Sequence, residues 1–380
     1  MKDLKELRNQ IDQIDRQIVE LYQKRMEIAA EVAAYKIENG RQVFDKTREE
    51  EKLASLSALA TSPFNRHGIQ ELFEQIMAMS RKRQYQLMTE HGIYQKPDFT
   101  EVERIEYRNA RIVFQGTEGA YSQLALKEYF GEDADSYHVD TWRDAMDAIR
   151  KGDADYAVFP IENSSAGIVS ENYDLMVEYD NCIVGEQIIK IDHALLGLPE
   201  AELSDITDVY SHPQALMQCD RYLDAHREWE KHSLKNTAMA AQKVKEDGKR
   251  HKAAIASTLT ADIYGLKVLD TCIQDNRSNA TRFIIVTGRH IYTNKASKIS
   301  VCFEIPHDHE SGSLYHMLSH FIYNGINMNR IESRPVQGKN WEYRFFVDFD
   351  GNLNDAAVQN ALRGLQEETL SLKILGNYEV

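Results

Sequence analysis

Several charged and amide side chains in the first 90 residues stand where an apolar pattern calls for hydrocarbon. Leu4, Leu7, Ile11, Ile14, Ile18, Leu21, Ile28, Val32 and Tyr35 recur at alternating three- and four-residue steps, the seam of a long helix that packs on other helices. Position 25 of that seam is Arg. Arg25 and Lys36 are 11 positions apart, which on a helix puts them within about 20° of one face and about 16 Å apart. Two long cations so placed can converge on a small anion lying along the helix. Ser80 and Gln84 interrupt a second apolar stripe, made by Ile69, Leu72, Phe73, Ile76, Leu87 and Met88, and offer neutral donors. Arg8 falls about 100° from Arg25 around the same cylinder and points toward a different site, such as one on another subunit. Taken singly, each is also what a register-setting or snorkelling polar residue looks like. Taken together, they suit a pocket for a small polycarboxylate in a bundle core, and both readings stand on the pattern alone.

A second group of polar residues sits where strands end and helices begin. Gly116-Thr117-Glu118-Gly119-Ala120-Tyr121-Ser122 follows an apolar run at 111–115, and Glu162-Asn163-Ser164-Ser165 follows one at 155–160. Ser211-His212-Pro213-Gln214 follows 206–210, and Ser257-Thr258 follows 253–256. Each alone is ordinary helix-capping chemistry. Several at once suggest a cleft beyond strand C-termini, where helix N-termini present N–H groups to a carboxylate. The glycines do not spell GxGxxG and no Walker lysine follows, which argues against a nucleotide. His307 and His309 stand near the i, i+4 pair His316 and His320, but without an HExxH order or a nearby cysteine. We read them as solvated histidines, and expect no metal. No Ser-His-Asp or Cys-His signature appears.

These residues need elements to position them, and the chain divides by pattern. Residues 1–90 read as helices, with Asn39-Gly40 ending the first, Asp45 or Thr47 capping the second, and Pro63, Asn65 and Gly68 marking the next turn. Residues 91–110 are polar, contain Pro97 and read as a linker. From 111 to 290 short apolar strands (111–115, 155–160, 182–190, 206–210, 253–256, 266–270 and 283–287) alternate with helices near 122–130, 141–150, 214–225, 237–247 and 258–264. This predicts α/β layers with a largely parallel sheet. Residues 298–376 read strand 298–304, helix 313–324, strand 326–334, strand 341–349, helix 354–368, strand 371–375, the ferredoxin-like β-α-β-β-α-β order.

Composition limits the function classes. The chain has 380 residues with a net charge of −15, enough for two to three domains and a poor match to nucleic acid or an anionic membrane. The charge is uneven. Residues 1–100 are neutral overall, 101–297 carry −11 and 298–380 carry −4. No run approaches a membrane span, and the N-terminus has no apolar signal core. Four cysteines far apart, Cys182, Cys219, Cys272 and Cys302, read as reduced thiols in a cytoplasmic protein.

With these residues in view, the chain resembles the bifunctional P-protein family, chorismate mutase–prephenate dehydratase with a C-terminal ACT domain. Three motif sets occur in the family's order. Arg8, Arg25, Lys36, Asp45, Arg48, Glu49, Ser80 and Gln84 match the all-helical mutase module. Gly119-Ala120-Tyr121-Ser122, Pro160-Ile161-Glu162-Asn163-Ser164, Ser211-His212-Pro213-Gln214 and Asn279-Ala280-Thr281-Arg282-Phe283 match the dehydratase. Gly312-Ser313-Leu314 and Glu332-Ser333-Arg334-Pro335 match a phenylalanine-binding ACT domain, with Ser313 where the family commonly has alanine. The resemblance implies a mutase domain at 1–90, a linker at 91–110, a dehydratase at 111–290 with two lobes like type II periplasmic binding proteins, and an α+β ACT domain at 298–376. It implies an interlocked helical dimer, with Arg8 reaching the partner's pocket.

The resemblance also implies roles. Arg25, Arg48 and Ser80 would hold carboxylates of chorismate, Lys36 and Gln84 would donate to its ether oxygen, and Asp45 and Glu49 would meet its ring hydroxyl. Thr281 would be central to dehydration, with Glu162 or His212 supplying or relaying a proton. Asn163, Ser164, Ser211 and Gln214 would hold carboxylates of prephenate, with Tyr121, Ser122, Arg282 and Phe283 also at the substrate. Gly312, Ser313, Leu314, Glu332, Ser333 and Arg334 would bind phenylalanine as inhibitor. Neither reaction needs a cofactor in principle. Two alternatives remain on sequence: an amino-acid-sensing protein whose helices are only a dimerisation arm, and a dehydratase without mutase activity. The cationic set Arg8, Arg25, Lys36, Arg48 with Gln84 argues against both, since neither has a use for it.

Overall fold

A computed structural model of the chain describes residues 3–93, 97–305 and 312–380. His307 and His309 lie outside them. The chain forms two compact units, one of residues 1–97 with 299–374 and the other of 98–298 with 375–380.

The first unit begins with three helices, α1 (Leu4–Glu38), α2 (Lys46–Ser57) and α3 (Pro63–Glu90). Asn39-Gly40 ends α1, with Gly40 at φ +62°, a conformation that costs a glycine little. Asp45 rather than Thr47 caps α2, accepting from Arg48 N at 3.0 Å. Ser62 caps α3, accepting from Asn65 N at 3.2 Å, with Pro63 in the first turn. The buried stripe of α3 is Met77, Ser80, Arg81, Gln84, Tyr85 and Met88, so its inward face is turned from the stripe expected by sequence. Only Ala29 and Ala33 of α1 are buried; the apolar seam from Leu4 to Leu21 is exposed in the single chain.

The second unit holds two lobes. Its elements, in chain order, are β1 (Thr100–Val102), β2 (Ile112–Gln115), α4 (Tyr121–Phe130), β3 (Ser136–Val139), α5 (Trp142–Lys151), β4 (Tyr156–Asn163), β5 (Gly167–Ile168), α6 (Ser170–Glu178) and β6 (Cys182–Lys190). There follow β7 (Ala194–Gly197), β8 (Asp208–Ser211), α7 (Pro213–Gln218), α8 (Asp220–Asp224), β9 (Glu230–Ser233), α9 (Thr237–Asp247), β10 (Lys252–Ala256), α10 (Thr258–Tyr264), β11 (Lys267–Asp270), β12 (Ala280–Thr287) and β13 (Ile291–Thr293). The first lobe is built on the strand order β6-β12-β4-β2-β3 and the second on β11-β7-β10-β8-β9.

The sheets are mixed, against the expectation of largely parallel ones. β2 runs parallel to β3 and β4, but β12 is antiparallel to both β4 and β6. The cause is connectivity: the chain leaves the first lobe after β6, builds the second, and returns as β12 against its neighbours. In the second lobe β8 is parallel to β9 and β10, while β7 runs against β10 and β11. Ile112, Phe114, Val158, Val184, Phe283 and Ile285 form the first core, and Leu195, Val209, Ala253, Ile255 and Trp229 belong to the second lobe's. The expected linker is partly ordered structure, since β1 pairs with β13 in parallel and Tyr107 packs against the first core. The helix expected over 214–225 breaks at Cys219 into α7 and α8.

The remaining elements are β14 (Lys298–Glu304), α11 (Ser313–Tyr323), β15 (Met328–Pro335), β16 (Tyr343–Asp350), α12 (Ala356–Glu368) and β17 (Ser371–Glu379). This is the β-α-β-β-α-β order read from sequence, with strands ordered β15-β16-β14-β17. α11 and α12 approach closely at Gly364, where a Cβ would lie 2.3 Å from His320 Nδ1. The four cysteines are free, three of them buried, and no described helix is long and apolar enough to cross a membrane.

Candidate active sites

The helices bring most of the first residue set together. Arg25 donates from Nη1 to Ser80 Oγ and, at 3.4 Å, to Ile76 O. Ser80 in turn donates to Ile76 O at 2.9 Å. Lys36 Nζ donates to Val43 O at 2.6 Å, which ties the end of α1 to the loop before α2. Gln84 Nε2 donates to Ser80 O at 3.3 Å, and its Oε1 is buried without a hydrogen-bond partner. A buried, unsatisfied amide oxygen four residues from the Ser80 that Arg25 holds marks a place where a polar ligand would be welcome.

Burial lowers the pKa of both cations, and carboxylates oppose it. Glu49 does so for Arg25, and Asp45, Glu367 and Glu49 do so for Lys36. Both shifts start from values so high that the groups stay charged at neutral pH. Asp45 and Arg48 are exposed at the start of α2, and Glu49 is half-buried beside Arg81. Arg8 is not brought to this place. It lies on the exposed half of α1, 17 residues and so about 25 Å along the axis from Arg25.

Part of the second set gathers at the ends of β4 and β12. Thr281 and Asn163 face each other across β12 and β4. Asn163 Nδ2 donates to Thr281 Oγ1 and to Asn279 Oδ1, both at 2.9 Å. Asn163 Oδ1 accepts from Ser165 N and Ala166 N, fixing the turn after β4. Ser164 Oγ accepts from Ala280 N at 3.0 Å. The Thr281 oxygen thus accepts a hydrogen bond, and its own proton is directed elsewhere. The second lobe closes on the loop before α4, with Thr260 Oγ1 donating to Gly119 O at 3.0 Å and Tyr264 OH to Glu118 O at 3.1 Å. His212 caps α7 through Nδ1, which accepts from Gln214 N at 3.1 Å. Burial pushes its pKa down, so the ring is neutral at pH 7 with its proton on Nε2.

The structure gives several of the expected substrate residues other contacts. Glu162 and Arg282 are register partners one step from Asn163 and Thr281, so alternation puts them on the opposite face of the sheet. There Arg282 pairs with Glu162 at 3.6 Å and Glu186 at 3.2 Å. Glu162 therefore does not share a face with Thr281, and Arg282 serves an ion-pair group. Phe283, opposite a bulge at Ile161 of β4, packs in the first core. Ser211 is fully buried and donates to Ile255 O at 2.7 Å, joining two strands. Tyr121 spends its hydroxyl on Asp192 O at 2.9 Å beside His193. Ser122 is buried at the start of α4, and Gln214 is half-buried in the first turn of α7. Asn279, a motif residue with no role assigned from sequence, joins the group of Asn163 and Thr281 through its Oδ1, and its Nδ2 is buried without a hydrogen-bond partner, which makes it a further candidate.

In the C-terminal region Gly312 caps α11 at φ +89°, ahead of Ser313 and Leu314. Glu332 and Arg334 share the half-buried face of β15, where Arg330 approaches Glu332 at 3.7 Å, while Ser333 is exposed on the other face.

Residues 7–85 match the family model for chorismate mutase type II, and residues 112–290 match that for prephenate dehydratase. The bifunctional chorismate mutase/prephenate dehydratase of Escherichia coli K12 is 33% identical over 376 residues, 98% of this chain and 95% of its own. The chain belongs to the bifunctional chorismate mutase/prephenate dehydratase family. Its helical segment is the mutase module and its two-lobed segment the dehydratase module, which sets aside the sensor and single-activity alternatives. A solved prephenate dehydratase from Arthrobacter aurescens in complex with L-Phe is 34% identical, with TM-score 0.65, over 71% of this chain and 90% of its own. A structure described as GqqA, a quorum quenching acylase, is 31% identical, with TM-score 0.65, over 71% of this chain and 98% of its own.

Proposed function

We propose that the two modules act in series in phenylalanine biosynthesis, chorismate to prephenate in the mutase pocket and prephenate to phenylpyruvate in the dehydratase cleft, with phenylalanine as feedback inhibitor. The first step is a Claisen rearrangement and needs no nucleophile or cofactor. Protein can speed it by holding a compact chair conformer and stabilising charge on the ether oxygen. Arg25, Arg48 and Ser80 hold carboxylates, Lys36 and Gln84 donate to the ether oxygen, and Asp45 and Glu49 meet the ring hydroxyl. The observation that carries this reading is the joining of Arg25, Ser80 and Gln84 at the contact of α1 with α3, with Lys36 and Arg25 both near the Glu49 carboxylate.

The second step expels the ring hydroxyl as water while the ring carboxylate leaves as carbon dioxide. The C–C bonding electrons complete the aromatic ring, and a proton must reach the departing oxygen. Thr281 is the contact to that oxygen. Its oxygen is occupied by Asn163, so its hydrogen is available to the leaving group. Neutral His212 relays a proton drawn from solvent, taking one up as it passes one on, and Asn163, Ser164, Ser122 and Gln214 with helix N-termini hold the carboxylates.

Further parts of the reading rest on pattern. The exposed α1 seam supports a homodimer that buries it and carries Arg8 to the partner's pocket. The β-α-β-β-α-β order with Gly312 at a helix start supports an ACT domain at 298–376, with phenylalanine near Gly312, Ser313, Leu314, Glu332, Ser333 and Arg334. The domain limits 1–90, 111–290 and 298–376, the periplasmic-binding-protein-like lobes and a cytoplasmic location belong to the same proposal. An assay supplying chorismate and detecting phenylpyruvate, with and without phenylalanine, tests it; absence of phenylpyruvate from folded protein overturns it.

A further inference from the structure

The mutase pocket contains a cation that the substrate-binding set does not use. Arg81 is buried on α3, between Ser80 and Tyr85. Its Nη1 donates to Glu49 Oε2, and its Nε is ion-paired to Glu368 Oε1 at 2.9 Å. Its guanidinium lies over the Phe44 ring, 5.1 Å from the centroid. One planar group therefore holds three things: the α2 carboxylate expected to meet chorismate, the residue next to Asp45, and the last residue of α12. Burial alone would lower the Arg81 pKa, but Glu368 and Glu49 together outweigh it and raise it. Arg81 is a fixed charge.

The α12 side of this contact is built as carefully. Glu368 is buried, and His320 Nε2 on α11 lies 3.3 Å from its other oxygen. Gly364 leaves the space in which the His320 ring sits. The neighbouring Glu367 accepts from Phe44 N at 3.0 Å and from Tyr85 OH at 2.8 Å, and Thr89 Oγ1 donates to Asn360 Oδ1 at 2.9 Å. The loop and helix that carry Asp45 and Glu49 are thus fastened at two points to the end of α12, a helix from the far end of the chain.

We propose that Arg81 is a positioning residue of the mutase pocket, oriented by Glu368, so that the C-terminal α+β region completes the mutase site. Arg81 does not touch chorismate. It sets where the Glu49 carboxylate stands and keeps it from turning toward Arg25 and Lys36, whose charges the substrate needs. Glu368 supplies the opposing pull: without it, Arg81 would be drawn wholly to Glu49. This inference rests on the assignment of Glu49 to the mutase pocket.

The test uses the full-length chain and measures mutase and dehydratase kinetics separately for Arg81→Gln, Arg81→Lys, Glu368→Gln and the Arg81→Gln/Glu368→Gln double variant, with Glu49→Gln as reference. Arg81→Gln is expected to lower mutase kcat about tenfold with a much smaller change in KM, as misplacement of a catalytic group does, and to leave dehydratase kcat unchanged. Arg81→Lys should recover part of the loss, and the double variant should be no worse than Arg81→Gln alone. If Arg81→Gln does not fold, Glu368→Gln carries the test with an intermediate loss of mutase kcat. Glu49→Gln lowering mutase kcat while folded Arg81→Gln and Glu368→Gln retain it within twofold overturns the positioning role and leaves the pocket standing. Unchanged turnover in Glu49→Gln overturns the pocket assignment and the inference with it. Equal loss of both activities in Glu368→Gln reduces the network to a structural one and also overturns the proposal.

Discussion

On the proposed reading, the mutase pocket and the dehydratase cleft bind related small dianions by opposite means. The pocket offers half-buried cations on a helix, Arg25 and Lys36, both near the Glu49 carboxylate that Arg81 holds. The cleft uses hydroxyls and amides, with Thr281, Asn163, Asn279 and Ser164 joined in one hydrogen-bonded group. The difference follows from the scaffold. A helix pair offers few free backbone donors in its middle, so charge must come from side chains. Strand ends and helix starts supply N–H groups aimed into a crevice, so neutral side chains suffice. The two chemistries should fail independently and respond differently to pH.

The sharpest break expected is Thr281→Ala. Loss of the contact to the departing oxygen should lower dehydratase kcat by about a hundredfold or more, with chorismate consumption unchanged. Lys36→Met should do the converse: mutase kcat/KM falls by about a hundredfold, since charge on the ether oxygen loses its fixed cation, and prephenate turnover is retained. Gln84→Glu is next. A carboxyl can donate to the ether oxygen only when protonated, so mutase activity should fall as pH rises through that carboxyl's pKa. The unaltered chain should hold its activity until Lys36 deprotonates, at a pH below the ordinary 10.5 because burial lowers its pKa. A pH–rate profile for the two proteins distinguishes these cases, and identical profiles would remove Gln84 from its role. The smallest effect is expected from Ser211→Ala. It should cost about 1–2 kcal/mol of unfolding free energy by removing the hydrogen bond to Ile255 O and leave dehydratase KM unchanged, as denaturant titration and kinetics would record.

The sequence made the modules legible because periodicity reports which face a residue occupies. Arg25, Ser80 and Gln84 stand out in sequence as breaks in apolar stripes, and the structure joins them. The strand at 182–190 and the helices at 237–247 and 258–264 stand where the pattern puts them. Facing within a sheet was not legible. Glu162 and Thr281 belong to motifs side by side in the expected cleft, yet register separates them by one residue and thus by a whole sheet face. Phe283 and Ser211 sit beside functional residues in sequence and serve the core. Antiparallel β12 was missed because pairing depends on a chain return 90 residues after β6, which no local pattern encodes. Arg81 escaped because its partners, Glu49 and Glu368, lie 32 and 287 positions away. Its signal was present only as spacing, four residues from Met77 and from Tyr85 on the stripe that proved to be buried.

Two separate sites on one chain, worked in order, make the two activities separable. Following chorismate, prephenate and phenylpyruvate together in the unaltered chain and in Thr281→Ala tests this most directly. The account predicts phenylpyruvate from the first, and from the second prephenate accumulating at an unchanged rate of chorismate loss. Joint loss of both activities in a folded Thr281→Ala protein, or continued phenylpyruvate formation by it, would contradict the account.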